Sequence, residues 1–345
     1  MKKITLALAL TVLMSHILLT PSAYIDALKT ALVNCYTTLI PSLIPFMMLS
    51  QLFCDSSAGN TVSAFLSPIT RKLFRLNKSE TKITLMSLIG GYPCGAKLIS
   101  NALDKNELTL NSATRLLKFS VNPSPSYMIL AVGVGLYQNK EIGFIFFFSN
   151  LIATLLLAFI TRPKSAQKQT ETPPLPLSQS LVKSVCDSTN AMLLICGFTL
   201  FFSLVLQFFK NLGLFRIHPI LTALISLSLD VVTGVNNTCK ISFFLTSVAI
   251  SFGGISVIFQ CMAMLKGQKI NFLKIIPFRI LHSLLTGVIS YFIIKIKDFP
   301  IETVATLKPT LSTQPPIMSL VFVFTCVLFL VSLKRSSKDE KTFRQ

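Results

Sequence analysis

Charge is scarce in this chain. Only 13% of its 345 residues are Asp, Glu, Lys or Arg, while 52% are hydrophobic and the mean hydropathy is +0.67. A chain that apolar lacks the polar surface an ordinary soluble domain needs, so the composition indicates a polytopic membrane protein. Acidic residues are the scarcer sign, 13 against 32 Lys and Arg, for a net charge of +19. Such an excess would suit a nucleic-acid binder, but the basic residues gather in the loops between apolar segments. That is the positive-inside pattern, so the excess reads as topology and no nucleic-acid partner is expected. The eight cysteines (Cys35, Cys54, Cys94, Cys186, Cys196, Cys239, Cys261 and Cys326) form no C-x-x-C pair, and no histidine stands close enough to complete a zinc site. No metal, cofactor or disulfide framework is expected. The chain also lacks a histidine-metal motif and a Ser or Cys nucleophile beside a base, so no catalytic residue is assigned and an enzyme is the least supported class.

Helix breakers, in contrast, are concentrated. The densest group is Gly90-Gly91-Tyr92-Pro93-Cys94-Gly95-Ala96-Lys97, inside the apolar run 83–99. Three glycines and a proline so close together do not hold a regular helix. At membrane depth unwound backbone survives only where protein or a water-filled cavity satisfies its N–H and C=O groups, so this stretch is expected to line a site. Lys97 fits that reading, because a charge in the bilayer turns to a polar cavity, a partner or a ligand. The blander reading is a lysine that snorkels from a helix end, over glycines that serve only packing.

Taken in order, Lys2 and Lys3 precede an apolar run over 4–20. It is read as a retained first span, with a signal peptide cleaved near Pro21-Ser22-Ala23 as the alternative. A second span over 27–53 carries Pro41 and Pro45 and is expected to kink or break. Residues 61–78 set Phe65, Leu66, Ile69, Leu73, Phe74 and Leu76 against Arg71, Lys72, Arg75 and Lys78 at helical spacing. That suits an interfacial helix on an anionic leaflet and equally an amphipathic helix packed between spans. The Gly-Pro hairpin follows over 82–100. The apolar stretch 116–137 is interrupted by Asn122-Pro123-Ser124-Pro125-Ser126, again implying unwound backbone around a cavity. Residues 141–161 are an unbroken span, and 162–180 form a basic, proline-rich linker, extended and mobile.

Beyond the linker come a span over 187–209, an apolar segment over 214–235 with Pro219, Asp230 and Gly234, and a span over 241–265 broken across 251–256. A span over 272–294 follows with Pro277, Arg279 and His282, and a last span is expected over 315–333 before a basic tail, 334–345. Each half therefore reads span, interrupted hairpin, broken span, span, the pattern of a duplicated transporter core. If the hairpins at 82–100 and 214–235 return to the side they entered, most of the 32 Lys and Arg share one side with both termini. The positive-inside rule makes that side cytoplasmic, whereas full spans at the hairpins would put the basic linker outside. The expected fold is thus an all-α polytopic membrane protein of about eight full spans plus two re-entrant segments. An N-terminal span or signal-anchor (1–23) precedes a first repeat (24–161), the cytoplasmic linker and an inverted second repeat (181–297).

Several strings resemble a known family. The 90–97 string, Leu116-Leu117-Lys118-Phe119-Ser120-Val121-Asn122 with Pro125, Gly133-Val134-Gly135, Leu229-Asp230-Val231-Val232-Thr233-Gly234 and Phe252-Gly253-Gly254-Ile255-Ser256-Val257 are similar to the YlbJ sporulation integral membrane proteins, grouped with the nucleoside-recognition, or Gate, domain proteins. The likeness runs from about residue 24 to 297. It departs at Gly90, where the family commonly has serine, and at Phe259 before Gln260, where relatives often carry histidine. The resemblance implies a membrane protein of spore-forming bacteria needed for spore maturation, kin to concentrative nucleoside transporters, that moves dipicolinic acid towards the forespore. A nucleoside or other small solute, or a non-transporting assembly or signalling role, is the alternative.

For a solute with two carboxylates flanking a flat ring, Lys97 is the expected charge partner, with Gly91, Gly95 and Ala96 offering backbone amides at a helix start. Tyr92 would stack on or hydrogen-bond the ring. Asn122, Ser124 and Ser126 from one break and Gly253, Gly254 and Ser256 from the other would supply hydrogen bonds. Arg279 is a second cation or a snorkelling one. Asp230 carries a coupling proton, binds a sodium ion or pairs with Lys97, and His218 and His282 are expected to hydrogen-bond within the bundle. The expected partners are the solute and membrane lipid at the cell membrane, with a homo-oligomer allowed.

Overall fold

A computed structural model of the chain describes residues 2–164, 172–265 and 267–297. All of these fall in the larger of two units, Met1–Pro309. The second unit, Thr310–Gln345, lies outside them, and with it the span expected over 315–333 and the tail 334–345.

Every regular element among the described residues is helical. Helix α1 (Lys2–Leu19) ends just before Pro21, which opens α2 (Pro21–Asp55). Proline fits the first turn of a helix, where its missing N–H would have no partner. The prolines further along do not break α2. It runs on through a π-helical turn, Cys35–Leu39, in which the Ile40 amide reaches back five residues to the Cys35 carbonyl. A wide turn just ahead of Pro41 absorbs the shift in hydrogen bonding that proline imposes.

Helices α2 and α9 (Leu177–Asn211) are each 35 residues long, about 52 Å at 1.5 Å per residue, against a hydrocarbon core of about 30 Å. They lie antiparallel. Asp55 at the end of α2 meets Lys183 near the start of α9 at 3.0 Å, and Asn211 at the end of α9 reaches Thr20, beside the start of α2, at 3.4 Å. The linker is tied at its far end, where the Leu175 amide donates to the Asp55 carbonyl at 3.0 Å, and α9 begins at Leu177, inside the stretch expected to be extended.

Helix α3 (Ser57–Phe74) follows α2 and turns Gly59 and Ser63 inward. Then come two helical hairpins. α4 (Lys78–Gly90) and α5 (Tyr92–Asp104) fold back about Gly91, so a Cβ on Gly95 would lie 3.0 Å from that of Ser87 across the tip. After α10 (Leu214–Ile217), α11 (Pro219–Leu229) and α12 (Val231–Thr238) fold back about Asp230. There Gly234 packs on Leu227, and Asn237 donates to Ser226 at 2.7 Å. The first hairpin has its base at the Asp55 end of the α2–α9 pair, where Lys105 meets Asp55 at 2.7 Å. The second follows directly on Asn211, at the other end.

Among the described residues five helices are long and apolar enough to cross a membrane: α2, α8 (Lys140–Ile160), α9, Phe243–Met264 and Phe272–Ile296. Phe243–Met264 is broken at Gly253 into α13 (Phe243–Phe252) and α14 (Gly254–Met264); Phe272–Ile296 is a 3-10 turn leading into α15 (Ile276–Ile296). Of α1, the part Leu10–Leu19 counts as a shorter apolar helix, and the stretch 116–137 does not meet that test. In the latter, α6 (Leu110–Leu116) ends, residues 117–124 carry no helix, and the π-helical α7 (Tyr127–Leu136) follows, too short to cross alone. Helix α15 packs on α8 and α13, which joins the two halves. The Tyr137 hydroxyl adds a buried bond to Thr246 at 2.9 Å.

Candidate functional site

The breakers converge. Tyr92 and Pro93 at the tip of the first hairpin, Asp230 and Val232 at the tip of the second, Ser124 from the unwound segment and Gln260 from α14 line one cavity. Thr199 of α9, Tyr127 of α7 and Leu43 of α2 close its sides. About 20 Å³ of it is open to the centre of a water molecule, room for about one water.

Among the described residues Asp230 is the one charged residue on this wall. Its backbone is extended and its side chain caps α12, with Oδ2 accepting the Thr233 amide at 3.0 Å and Oδ1 the Ser256 hydroxyl at 3.2 Å. The partial positive charge of a helix start favours a carboxylate at that position. Among the described residues no lysine or arginine pairs with it. Gly254, with φ +77, presses on this tip, and a Cβ there would lie 2.9 Å from the Asp230 nitrogen.

Lys97 is elsewhere. It pairs with Asp187 of α9 at 3.4 Å, whose second oxygen accepts from Gln51 at 2.6 Å and Asn101 at 3.3 Å. The pairing of Lys97 with Asp230 does not form, because Lys97 lies past the tip, on the side of α5 that meets α9. With Asp55, Lys105 and Lys183 these groups make a polar ladder along α2, α5 and α9 at four-residue spacing.

Arg279 does not snorkel; it is buried. Its guanidinium donates to the carbonyls of Val121, in the unwound segment, and of Ser251 and Phe252 in the last turn of α13. Carbonyls at a helix end have no helical partner and carry the negative end of the dipole, so one planar fork joins both breaks. Beside it Asn122 accepts from Asn150 at 3.3 Å and Thr154 at 2.9 Å, and the His282 ring bridges Thr154 at 3.0 Å and Ser251 at 2.8 Å. His218 instead caps α11, accepting the Ile220 amide at 3.2 Å. Among the described residues no three His, Cys, Asp or Glu side chains gather where they could hold a metal.

This chain is similar to the sporulation integral membrane protein YlbJ of Bacillus subtilis (strain 168). Identity with YlbJ is 24% over a 313-residue alignment that covers 78% of this chain and 77% of YlbJ. The resemblance to the YlbJ sporulation proteins therefore stands, as a likeness over most of the chain. No family model matches the chain, and no solved structure matches it. That YlbJ is an integral membrane protein agrees with the five apolar helices here.

Of the residues expected at the site, Tyr92, Ser124 and Asp230 face the cavity, and Gly91, Gly254 and Ser256 stand directly behind them. The others hold the chain in place. Tyr92 also donates its hydroxyl to the Ile250 carbonyl, Gly95 packs so tightly on the Ser120 carbonyl that a side chain would overlap it, and Gly253, with φ +79, is the break between α13 and α14. Ala96 and Ser126 are buried away from the cavity. Thr199, Tyr127 and Asp187 were not singled out. Thr199 is a hydroxyl in an apolar span, and such side chains tend to face the protein interior, but Ser203 of the same span shares that signal.

Proposed function

We propose that the chain is a multi-pass carrier of sporulation, with both termini cytoplasmic, that moves a small aromatic solute across the cell membrane through this cavity. The likeness to YlbJ supports the sporulation setting. The observation that carries the transport reading is the meeting of two hairpin tips, from opposite ends of the α2–α9 pair, with two helix breaks at one cavity. Inverted repeats bring broken elements together in this way at the midplane of secondary transporters, where one repeat rocks against the other. Room for about one water means that the tips part to admit a solute.

Charge then selects the solute. Tyr92 and Tyr127 offer surfaces to a flat ring, but among the described residues the wall holds one carboxylate and no cation, since Lys97 is engaged by Asp187 and Arg279 by carbonyls. Two like charges about 4 Å apart at an effective dielectric near 20 repel by about 4 kcal/mol, roughly a thousandfold in affinity. A dipicolinate-like dianion is therefore carried with a proton on Asp230. A neutral ring solute such as a nucleoside needs no such proton and is the second reading, favoured by the same carboxylate. In proteoliposomes dipicolinate uptake is expected to rise as pH falls. Asp230→Asn should keep the uptake and flatten the part of that dependence that does not come from the solute's own titration. Uptake of nucleoside but not dipicolinate at every pH would move the site to the second reading. Uptake of neither, above empty vesicles, would end the carrier proposal in favour of a role in membrane assembly or signalling.

A further inference from the structure

A surface unrelated to the cavity has its own chemistry. Helix α3 turns Gly59 and Ser63 into the protein, and on its far side Phe65 is 81% exposed, Ile69 57%, Leu73 44% and Val62 37%. At 3.6 residues per turn these four fall within about 80° of arc, a single apolar stripe. Lys72 in the last turn borders it, Arg71 lies across the helix in the same turn, and both are exposed. The basic character continues past the helix. Arg75, in a left-handed cap with φ 54, donates to the carbonyls of Pro163 and Lys164, which brings Arg162 and Lys164 beside the same end. No acidic residue occurs between Asp55 and Glu80. Asp55 is engaged by Lys105 and Lys183, and Glu80 is buried against Arg115 at 3.2 Å.

We infer that α3 is a docking surface for anionic phospholipid at the membrane face marked by Asp55, with its apolar stripe in the acyl boundary and the basic end of the helix, Lys72 foremost, on the headgroups. Of the two readings of residues 61–78, packing between spans would have covered Phe65 and Ile69, and they are the most exposed residues of the stripe. An apolar stripe that runs into a basic helix end without acidic residues matches an anionic leaflet, whose surface attracts each nearby Lys or Arg. The helix also follows directly on α2, one of the helices long and apolar enough to cross a membrane.

The chain contains no tryptophan, so Phe65→Trp creates a single fluorescent reporter on the stripe. The purified protein would be placed in mixed phosphatidylcholine and phosphatidylglycerol vesicles with one lipid brominated on its acyl chains. Phe144→Trp, on the exposed face of α8, reports insertion and folding in every variant. The expected result is strong quenching, greater when phosphatidylglycerol carries the bromine than when phosphatidylcholine does at equal mole fraction. Adding Arg71→Glu and Lys72→Glu should remove that preference while quenching persists. Absence of quenching at position 65, with position 144 quenched, would mean that water or a protein partner covers α3 and would overturn the proposal. Equal quenching by both lipids, unaltered by the charge reversals, would overturn it as well. Neither readout involves a solute, so the result is independent of the carrier reading.

Discussion

Two cations at membrane depth are satisfied in different ways. Lys97 has a carboxylate in Asp187, and both side chains keep some exposure, at 24% and 21%. Arg279 has no carboxylate partner among the described residues and instead serves three buried carbonyls with one fork. Each buried acceptor left without a donor costs about 1–3 kcal/mol. Arg279→Met is therefore expected to abolish the monodisperse folded peak, followed by size exclusion in detergent after stepped heating. Arg279→Lys should fall between, because a point charge cannot span both breaks. A methionine variant as heat-resistant as the native protein would show that the clamp contributes little. At this scale the sequence was readable in part. That Lys97 and Arg279 are unusual followed from their apolar surroundings, whereas their partners, Asp187 and the 251–252 carbonyls, lie far along the chain and leave no local trace.

Breaks and tips behave as elements because glycine permits what other residues resist. Gly213 and Gly254 share a φ of +77, yet nothing lies within 4 Å of a Cβ built on Gly213, whereas one on Gly254 would meet the Leu229–Asp230 backbone at 2.9 Å. Left-handed backbone alone costs a residue with a side chain about 1–2 kcal/mol, and overpacking adds about 1–3 kcal/mol. Gly213→Ala should thus lower the melting midpoint slightly and Gly254→Ala markedly, with the tip of the second hairpin pushed off α14. Equal midpoints for the two variants would mean that the tip is not seated there. The positions of the breaks at Gly91, near 122–126 and at Gly253 were legible because glycine and proline act locally. The second tip was less so, because it turns on a capping aspartate while Gly234 serves only packing on Leu227. Continuity of α2 through Pro41 was not legible, since a π turn that rescues the ladder has no distinctive composition.

For the whole molecule, loop charge and contacts bear separately on how the two hairpins are placed. Basic loops lead to the expectation that the hairpins enter from opposite faces, and the Lys105–Asp55 and Asn211–Thr20 contacts set their bases at opposite ends of one helix pair. Green fluorescent protein fused after Lys164 is expected to fluoresce, and alkaline phosphatase fused after Gly213 to be active. Cytoplasmic signals from both positions would remove the opposed arrangement. The number of spans was the least legible quantity, because a run of apolar residues such as 116–137 does not reveal that its middle is unwound. The polar ladder on α2, α5 and α9 has a last implication. It bolts the first hairpin to the long helices by charge, while among the described residues the second rests on close packing and the hydroxyl of Ser256. A frame fastened so unevenly is stiff at one door and compliant at the other, and its spontaneous opening is concentrated in α11 and α12.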